Sequence, residues 1–214
     1  MTTIGFLHTA ETHTRTFQAL MRELSPGRAD VHVVDESLLA EARERGVDED
    51  VRRRLLARLR EVAAAGADLV VCTCSTLSGH AEQLSDEVGV PVLRVDRPMA
   101  EAAAAAGRRI AVVATVASTL APTRELLTSC AAPGTEIVEA LCADAWPLFE
   151  AGDLDGYARS IADHARTLDA DVIVLAQASA APAQLLLADL GKPVFSSPRI
   201  AVERATQLCS NLHM

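Results

Sequence analysis

Cys74 and Gln177 stand at corresponding places in two copies of one sequence pattern. The first copy runs Ala67-Asp68-Leu69-Val70-Val71-Cys72-Thr73-Cys74-Ser75-Thr76, and the second Ala170-Asp171-Val172-Ile173-Val174-Leu175-Ala176-Gln177-Ala178-Ser179. Each is a short apolar run of strand type that closes in small polar groups. Superposed, they set Cys74 against Gln177 and Thr76 against Ser179. A thiol where a strand ends and a helix begins can be held as thiolate by the helix dipole, and can then act as base, acid or nucleophile. An amide neither takes nor releases a proton near neutrality. Cys72 points the same way as Cys74 but deeper, and reads as core. The pair lacks the second pair of ligands that a zinc site needs. Cys130, Cys142 and Cys209 stand in no motif and read as structural.

The elements that must position these residues follow a repeated order. Thr3 to Leu7 reads as a strand, and a polar loop from His8 to Thr14 follows it. Phe17, Leu20, Met21 and Leu24 share one helix face, and Ser25-Pro26-Gly27 ends that helix. Val31 to Asp35 is a second strand. Helical sequence begins at Leu38 and breaks near Gly46. An amphipathic helix spans Asp48 to Ala65, closed by Gly66. After the Cys74 strand, a helix through Ala81 to Val88 leads to a fourth strand at Pro91 to Val95, and an Ala-rich helix runs from Met99 to Ala106. Then the pattern restarts, with strands at Arg109 to Thr115 and Thr135 to Glu139. Helices are expected at Pro122 to Cys130 and Tyr157 to Leu168, and Leu185 to Leu190 with Gly191 to Phe195 match the Pro91-Val92 region of the first copy. Four strands recur in order at nearly constant separation, the mark of an internal duplication.

Alternating strands and helices predict parallel α/β sheets. The expected architecture is therefore α/β, with two similar, pseudo-symmetric parallel-sheet halves and an active-site cleft between them. The first half is residues 1–97, with a closing helix over 199–214, and the second is residues 98–198. Ligands of open parallel sheets bind beyond the carboxyl ends of the strands. Those ends carry His8 and Thr9, then Cys74, Ser75 and Thr76, and in the second half Thr115, Thr119, Gln177 and Ser179. Hydroxyls beside helix N-termini make a cradle for carboxylates. Glu11 and His13 share the loop after His8, whereas His32, His80, His164 and His213 read as incidental.

Composition narrows the function. Of 214 residues half are hydrophobic and only 3% aromatic, so the core must be built from Ala, Val, Leu and Ile. The net charge of −9, with no dense basic cluster, argues against nucleic acid. No run is long and apolar enough for a membrane span or a signal peptide, and five cysteines fit reduced thiols in the cytoplasm better than a disulfide framework. No glycine-rich phosphate loop, Walker pattern or nucleophile elbow occurs. No cofactor or metal is expected, and a homo-oligomer is left open.

These residues resemble the aspartate/glutamate/hydantoin racemase superfamily over nearly the full chain. Cys74-Ser75-Thr76-Leu77-Ser78 is similar to its first cysteine motif, Cys-Asn-Thr-Ala-Ser, and Thr115 and Thr119 resemble the threonines after the second half's first strand. Leu175-Ala176-Gln177-Ala178-Ser179 stands where its Leu-Gly-Cys-Thr-His motif would lie. The resemblance implies an enzyme free of pyridoxal phosphate and metal, acting at the α-carbon of a small carboxylate or amino acid. The family's two-base mechanism uses a thiolate on each face of that carbon. Here Gln177 replaces the second thiol, so the resemblance carries Cys74 over as acid/base, but not two-base racemisation. His8, Thr9, Ser75, Thr76, Thr115, Thr119 and Ser179 are expected to bind substrate, and Gln177 to orient or polarise it. Three readings follow: a racemase or isomerase with a group such as His8 serving the second face; a single-cysteine decarboxylase or cis–trans isomerase of a small dicarboxylate; or a non-catalytic carboxylate binder.

Overall fold

The computed structural model describes residues 2–211. They form two compact units, residues 2–95 with 198–211, and residues 96–197.

In the first unit the elements run β1 (Ile4–His8), α1 (Glu11–Leu24), β2 (Asp30–Val34), α2 (Glu36–Arg45), α3 (Glu49–Ala64), β3 (Leu69–Cys72), α4 (Ser75–Gln83), α5 (Ser85–Val88) and β4 (Val92–Arg94). The second unit has α6 (Arg97–Ala106), β5 (Arg109–Ala114), α7 (Leu120–Cys130), β6 (Glu136–Leu141), α8 (Trp146–Glu150), α9 (Leu154–Arg166), β7 (Val172–Leu175), α10 (Ala181–Leu186) and β8 (Val194–Ser196). Helix α11 (Ser197–Asn211) returns the chain to the first unit.

Each unit holds a parallel four-stranded sheet, in the order β2-β1-β3-β4 in one and β6-β5-β7-β8 in the other. The two orders are the same topology. β1, β3 and β7 are buried along their whole length, which is why they read as unbroken apolar runs. Leu7, Leu55, Leu59, Val62, Val70 and Cys72 share one core cluster in the first unit, and Ala111, Val113, Ile161, Ile173 and Leu175 occupy the matching place in the second.

The repeated Ala-Asp before β3 and β7 has a structural cause. Asp68 Oδ2 accepts the backbone N–H of Thr3 at 2.8 Å. Asp171 Oδ2 accepts those of Arg108 and Arg109 at 3.0 and 2.9 Å. Each carboxylate thus ties the third strand of its sheet to the start of the first. These backbone donors hold the Asp171 carboxyl below its ordinary range. The long helices before β3 and β7 are also capped alike: Asp48 accepts from Val51 N and Asp153 from Gly156 N, each at 2.9 Å. Gly5 lets β1 lie close under α3, because a Cβ there would run into Val62 of that helix and come within 2.7 Å of Ala67 Cβ.

Helix α10 carries Pro182 in its first turn, where a missing N–H is tolerated. The helix after Cys74 starts earlier than Ala81: α4 opens directly at Ser75, so Cys74 itself is the cap residue, and the short α5 follows it. The closing helix is described as far as Asn211, and His213 lies outside the described residues.

Candidate functional site

In the first unit, parallel pairing of β1 with β3 sets Leu7 beside Cys72, so the next residues, His8 and Thr73, meet at the strand ends. His8 Nδ1 lies 2.9 Å from Thr73 Oγ1. Thr73 N–H donates to Leu7 O at 3.0 Å, and its hydroxyl lies at the same distance from that carbonyl. Cys74 follows in extended backbone and caps α4, its carbonyl accepting from Ser78 N at 2.8 Å. Its thiol belongs to the same buried cluster as Cys72, and Thr9, Ser75 and Thr76 are all buried. The thiol thus stands at the N-terminus of a nine-residue helix, where orphan N–H groups favour negative charge.

His8 has no exposed surface. Its Nε2 lies 2.8 Å from His32 Nδ1, and His32 Nε2 lies 2.6 Å from Asp30 Oδ2. The rings stack in a row: Phe6 on His32 at 5.0 Å and His8 on His32 at 5.2 Å, with Phe17 tilted against His8. Burial, with His13 and His32 nearby, pushes His8 down to about 2, so it stays neutral. Both His8 nitrogens are committed to Thr73 and His32, which leaves neither for a ligand. His13 meets His8 edge-on at 6.3 Å. Its two ring nitrogens are buried without a hydrogen-bond partner among the described residues, and burial pushes it down to about 4.

In the second unit Gln177 caps a 3-10 turn, Ala178–Ala180, after β7. Its Oε1 accepts Thr115 N–H at 2.5 Å and the Thr115 hydroxyl at 2.9 Å. A backbone N–H can only donate, so this contact fixes which amide atom faces Thr115. Each hydroxyl has one proton, and the direction of the chain follows. Thr115 donates to Gln177, Tyr157 donates to Thr115 at 3.2 Å, and Ser179 donates to Tyr157 at 2.8 Å. Gln177 Oε1 is thereby saturated, and its Nε2 makes no hydrogen bond among the described residues. Burial pushes the Tyr157 phenol up, so it remains a donor. Thr119 is buried where the 3-10 turn Ala117–Thr119 leads into α7.

The structure thus brings His8, Thr9, Cys74, Ser75 and Thr76 to the strand ends of one sheet, and links Thr115, Gln177 and Ser179 at those of the other. Sequence reasoning missed three residues. Tyr157 is the only tyrosine, but its place on an apolar helix face reads as core. His32 reads as incidental, yet the register that pairs it with Phe6 puts its ring against His8. Arg94 ends β4 nearly buried, its guanidinium against Gly79 of α4; a Cβ there would meet Nη1 at 2.8 Å. Among the described residues no group of three or more His, Cys, Asp or Glu is arranged to hold a metal ion.

The family model for Asp/Glu/Hydantoin racemase matches residues 4–205. Among solved structures, glutamate racemase RacE1 of Bacillus anthracis is similar with a TM-score of 0.77 at 19% identity, over 98% of this chain and 82% of that one. An aspartate racemase of Picrophilus torridus gives 0.73 at 12% identity, over 98% and 95%. An allantoin racemase of Klebsiella pneumoniae gives 0.66 at 18% identity, over 99% and 89%. A search of curated proteins by sequence finds no match. No helix among the described residues is long and apolar enough to cross a membrane. The match over nearly the whole chain, on a twofold-repeated parallel α/β fold, makes this protein a member of the Asp/Glu/hydantoin racemase family and an isomerase-type enzyme.

Proposed function

We propose that the protein is a cofactor-independent, cytoplasmic racemase- or isomerase-like enzyme that moves a proton at the α-carbon of a small carboxylate or amino acid. Cys74 is the acid/base. Cys74 and the group on the opposite face share the transfer: one takes the α-proton as base, the electron pair passes into the substrate carboxylate as an enediolate, and the other returns a proton to carbon from its own face. Gln177 is the donor to that enediolate, through Nε2. Thr9, Ser75, Thr76 and Thr119 hold substrate oxygens, whereas Ser179, whose proton goes to Tyr157, supports Gln177 through the hydroxyl chain. The observation that carries this reading is the saturation of Gln177 Oε1 by both Thr115 donors, which leaves the amide only N–H groups to offer. Thr115 therefore acts through Gln177, and His8 through Thr73, rather than on the substrate. His13, with two unanswered nitrogens, is the imidazole at the Cys74 end with capacity for a ligand, and serves the second face. An amino-acid substrate accords with the Francisella tularensis glutamate racemase structure, which was solved with D-glutamate.

The test is chiral chromatography of single enantiomers of small amino acids and 2-substituted dicarboxylates, with wild type and Cys74→Ala. The other enantiomer is expected to appear with wild type alone. Release of CO2 without any second enantiomer would replace this reading with the single-cysteine decarboxylase. Equal conversion by Cys74→Ala would remove the thiol from the mechanism.

A further inference from the structure

Asp30, His32, His8 and Thr73 form one hydrogen-bonded file from β2 through β1 to the end of β3, and its protons can be counted. The Asp30 carboxylate accepts, so the 2.6 Å contact places a proton between it and His32 Nε2. The 2.8 Å contact between His32 Nδ1 and His8 Nε2 holds one proton and one lone pair. If that proton belongs to His32, neutral His8 must carry its own on Nδ1. It then donates to Thr73 Oγ1, and the Thr73 hydroxyl turns to Leu7 O at 3.0 Å. If instead the proton belongs to His8 Nε2, then His8 Nδ1 is a bare lone pair and the Thr73 hydroxyl donates to it. Leu7 O keeps its bond from Thr73 N–H in both cases. The two arrangements differ by one proton, and each satisfies every contact in the file.

We propose that Asp30 and His32 are positioning residues for the strand-end site: one proton taken up by the Asp30–His32 pair reverses the hydrogen bonds through His8 and turns the Thr73 hydroxyl from a donor to His8 into an acceptor from it. Thr73 directly precedes Cys74, so the reversal reaches the cap of α4. The extra proton stays with the Asp30–His32 pair because His8 is fully buried and has no carboxylate partner, whereas Asp30 is 27% exposed and can exchange with water. Of the titratable groups around the file, His13 faces His8 from α1, and Arg54 and Arg58 reach from α3 to Asp35, just past β2. Phe6 and Phe17 close the rest with apolar rings.

The consequence for catalysis rests on Cys74 being the acid/base; the relay itself does not. It is tested by nitrogen-15 NMR of the histidine rings from about pH 5 to 8, the range in which an ordinary imidazole titrates. In wild type, His8 is expected to carry its proton on Nδ1 at the acid end and on Nε2 at the alkaline end, with a single midpoint for the reversal. Asp30→Asn, which removes the carboxylate that shares the extra proton, should move that midpoint to lower pH. His32→Phe, which keeps the ring stack and is checked for fold by circular dichroism, should leave His8 in one tautomer throughout. The alkylation rate of Cys74 by iodoacetamide should inflect at the same midpoint in wild type and lose that inflection in His32→Phe. A wild-type His8 that keeps its proton on one nitrogen across the range, or a reversal that persists in His32→Phe, would overturn the relay. An alkylation inflection unchanged in His32→Phe would overturn its link to the site. The ring titration is repeated in Cys74→Ala: reversal there, with turnover lost or never present, separates the relay from the fate of the proposed reaction.

Discussion

Acid should destabilise this protein through two buried imidazoles. His8 is pushed from 6.5 down to about 2 and His13 to about 4, both chiefly by burial. For a base with a depressed folded value, the unfolded chain binds the proton first. Stability is therefore whole above the unfolded value of 6.5 and is lost as the pH falls towards the folded ones. At about pH 4.5 each unfolded imidazole has gained nearly its full proton while the folded one has not. At about 1.4 kcal/mol per pH unit over two units, each histidine costs roughly 2.7 kcal/mol, or about 5 kcal/mol together. That rivals the whole stability of a small domain. His13→Phe isolates one half of the effect, because carboxylate contributions are common to both proteins. The assay is urea unfolding followed by circular dichroism at about pH 7.5 and about pH 4.5. Wild type should lose about 2.5 kcal/mol more than His13→Phe across that interval. At the higher pH the variant should be the more stable by about 1 kcal/mol, since it removes an unsatisfied buried polar group. Equal acid losses in the two proteins would refute the claim that His13 is held neutral by burial.

The second unit supplies two further tests. Tyr157→Phe removes the hydroxyl between Ser179 and Thr115, and should cost about 1–2 kcal/mol in denaturant unfolding while lowering turnover through a less ordered Gln177. Full turnover in a destabilised Tyr157→Phe would show that the hydroxyl chain serves folding alone. Gln177→Glu keeps both bonds from Thr115 but offers no N–H. Its melting temperature should stay close to wild type while kcat/KM falls by roughly tenfold or more, the worth of one charge-assisted hydrogen bond. Unchanged kcat/KM would remove the amide N–H from the reaction.

What the sequence made legible, and what it did not, has a physical pattern. The strands were readable because a parallel sheet covered on both faces needs continuous apolar runs, as in Leu69–Cys72 and Val172–Leu175. The duplication was readable because Asp68 and Asp171 do the same work in each sheet. Short helices were harder. The turn Ala143–Ala145 and the helix Trp146–Glu150 follow β6 with too few residues to show a period. The hydrogen-bonded partners were hardest. His8 meets His32 through strand register, and Tyr157 of α9 meets Ser179 in the turn after β7, so neither contact leaves a local spacing to read. Cys74 was legible because its neighbours Ser75 and Thr76 mark a strand end in the chain itself.

The account turns on proton transfer at Cys74, and solvent exchange tests that directly. Amino acids and 2-substituted dicarboxylates are incubated in D2O with wild type and with Cys74→Ala, and loss of the α-proton signal is followed by NMR. The account predicts α-deuterium uptake by at least one compound with wild type and none above the uncatalysed rate with Cys74→Ala. Uptake that survives the loss of the thiol, or no uptake by wild type across the panel, would contradict it.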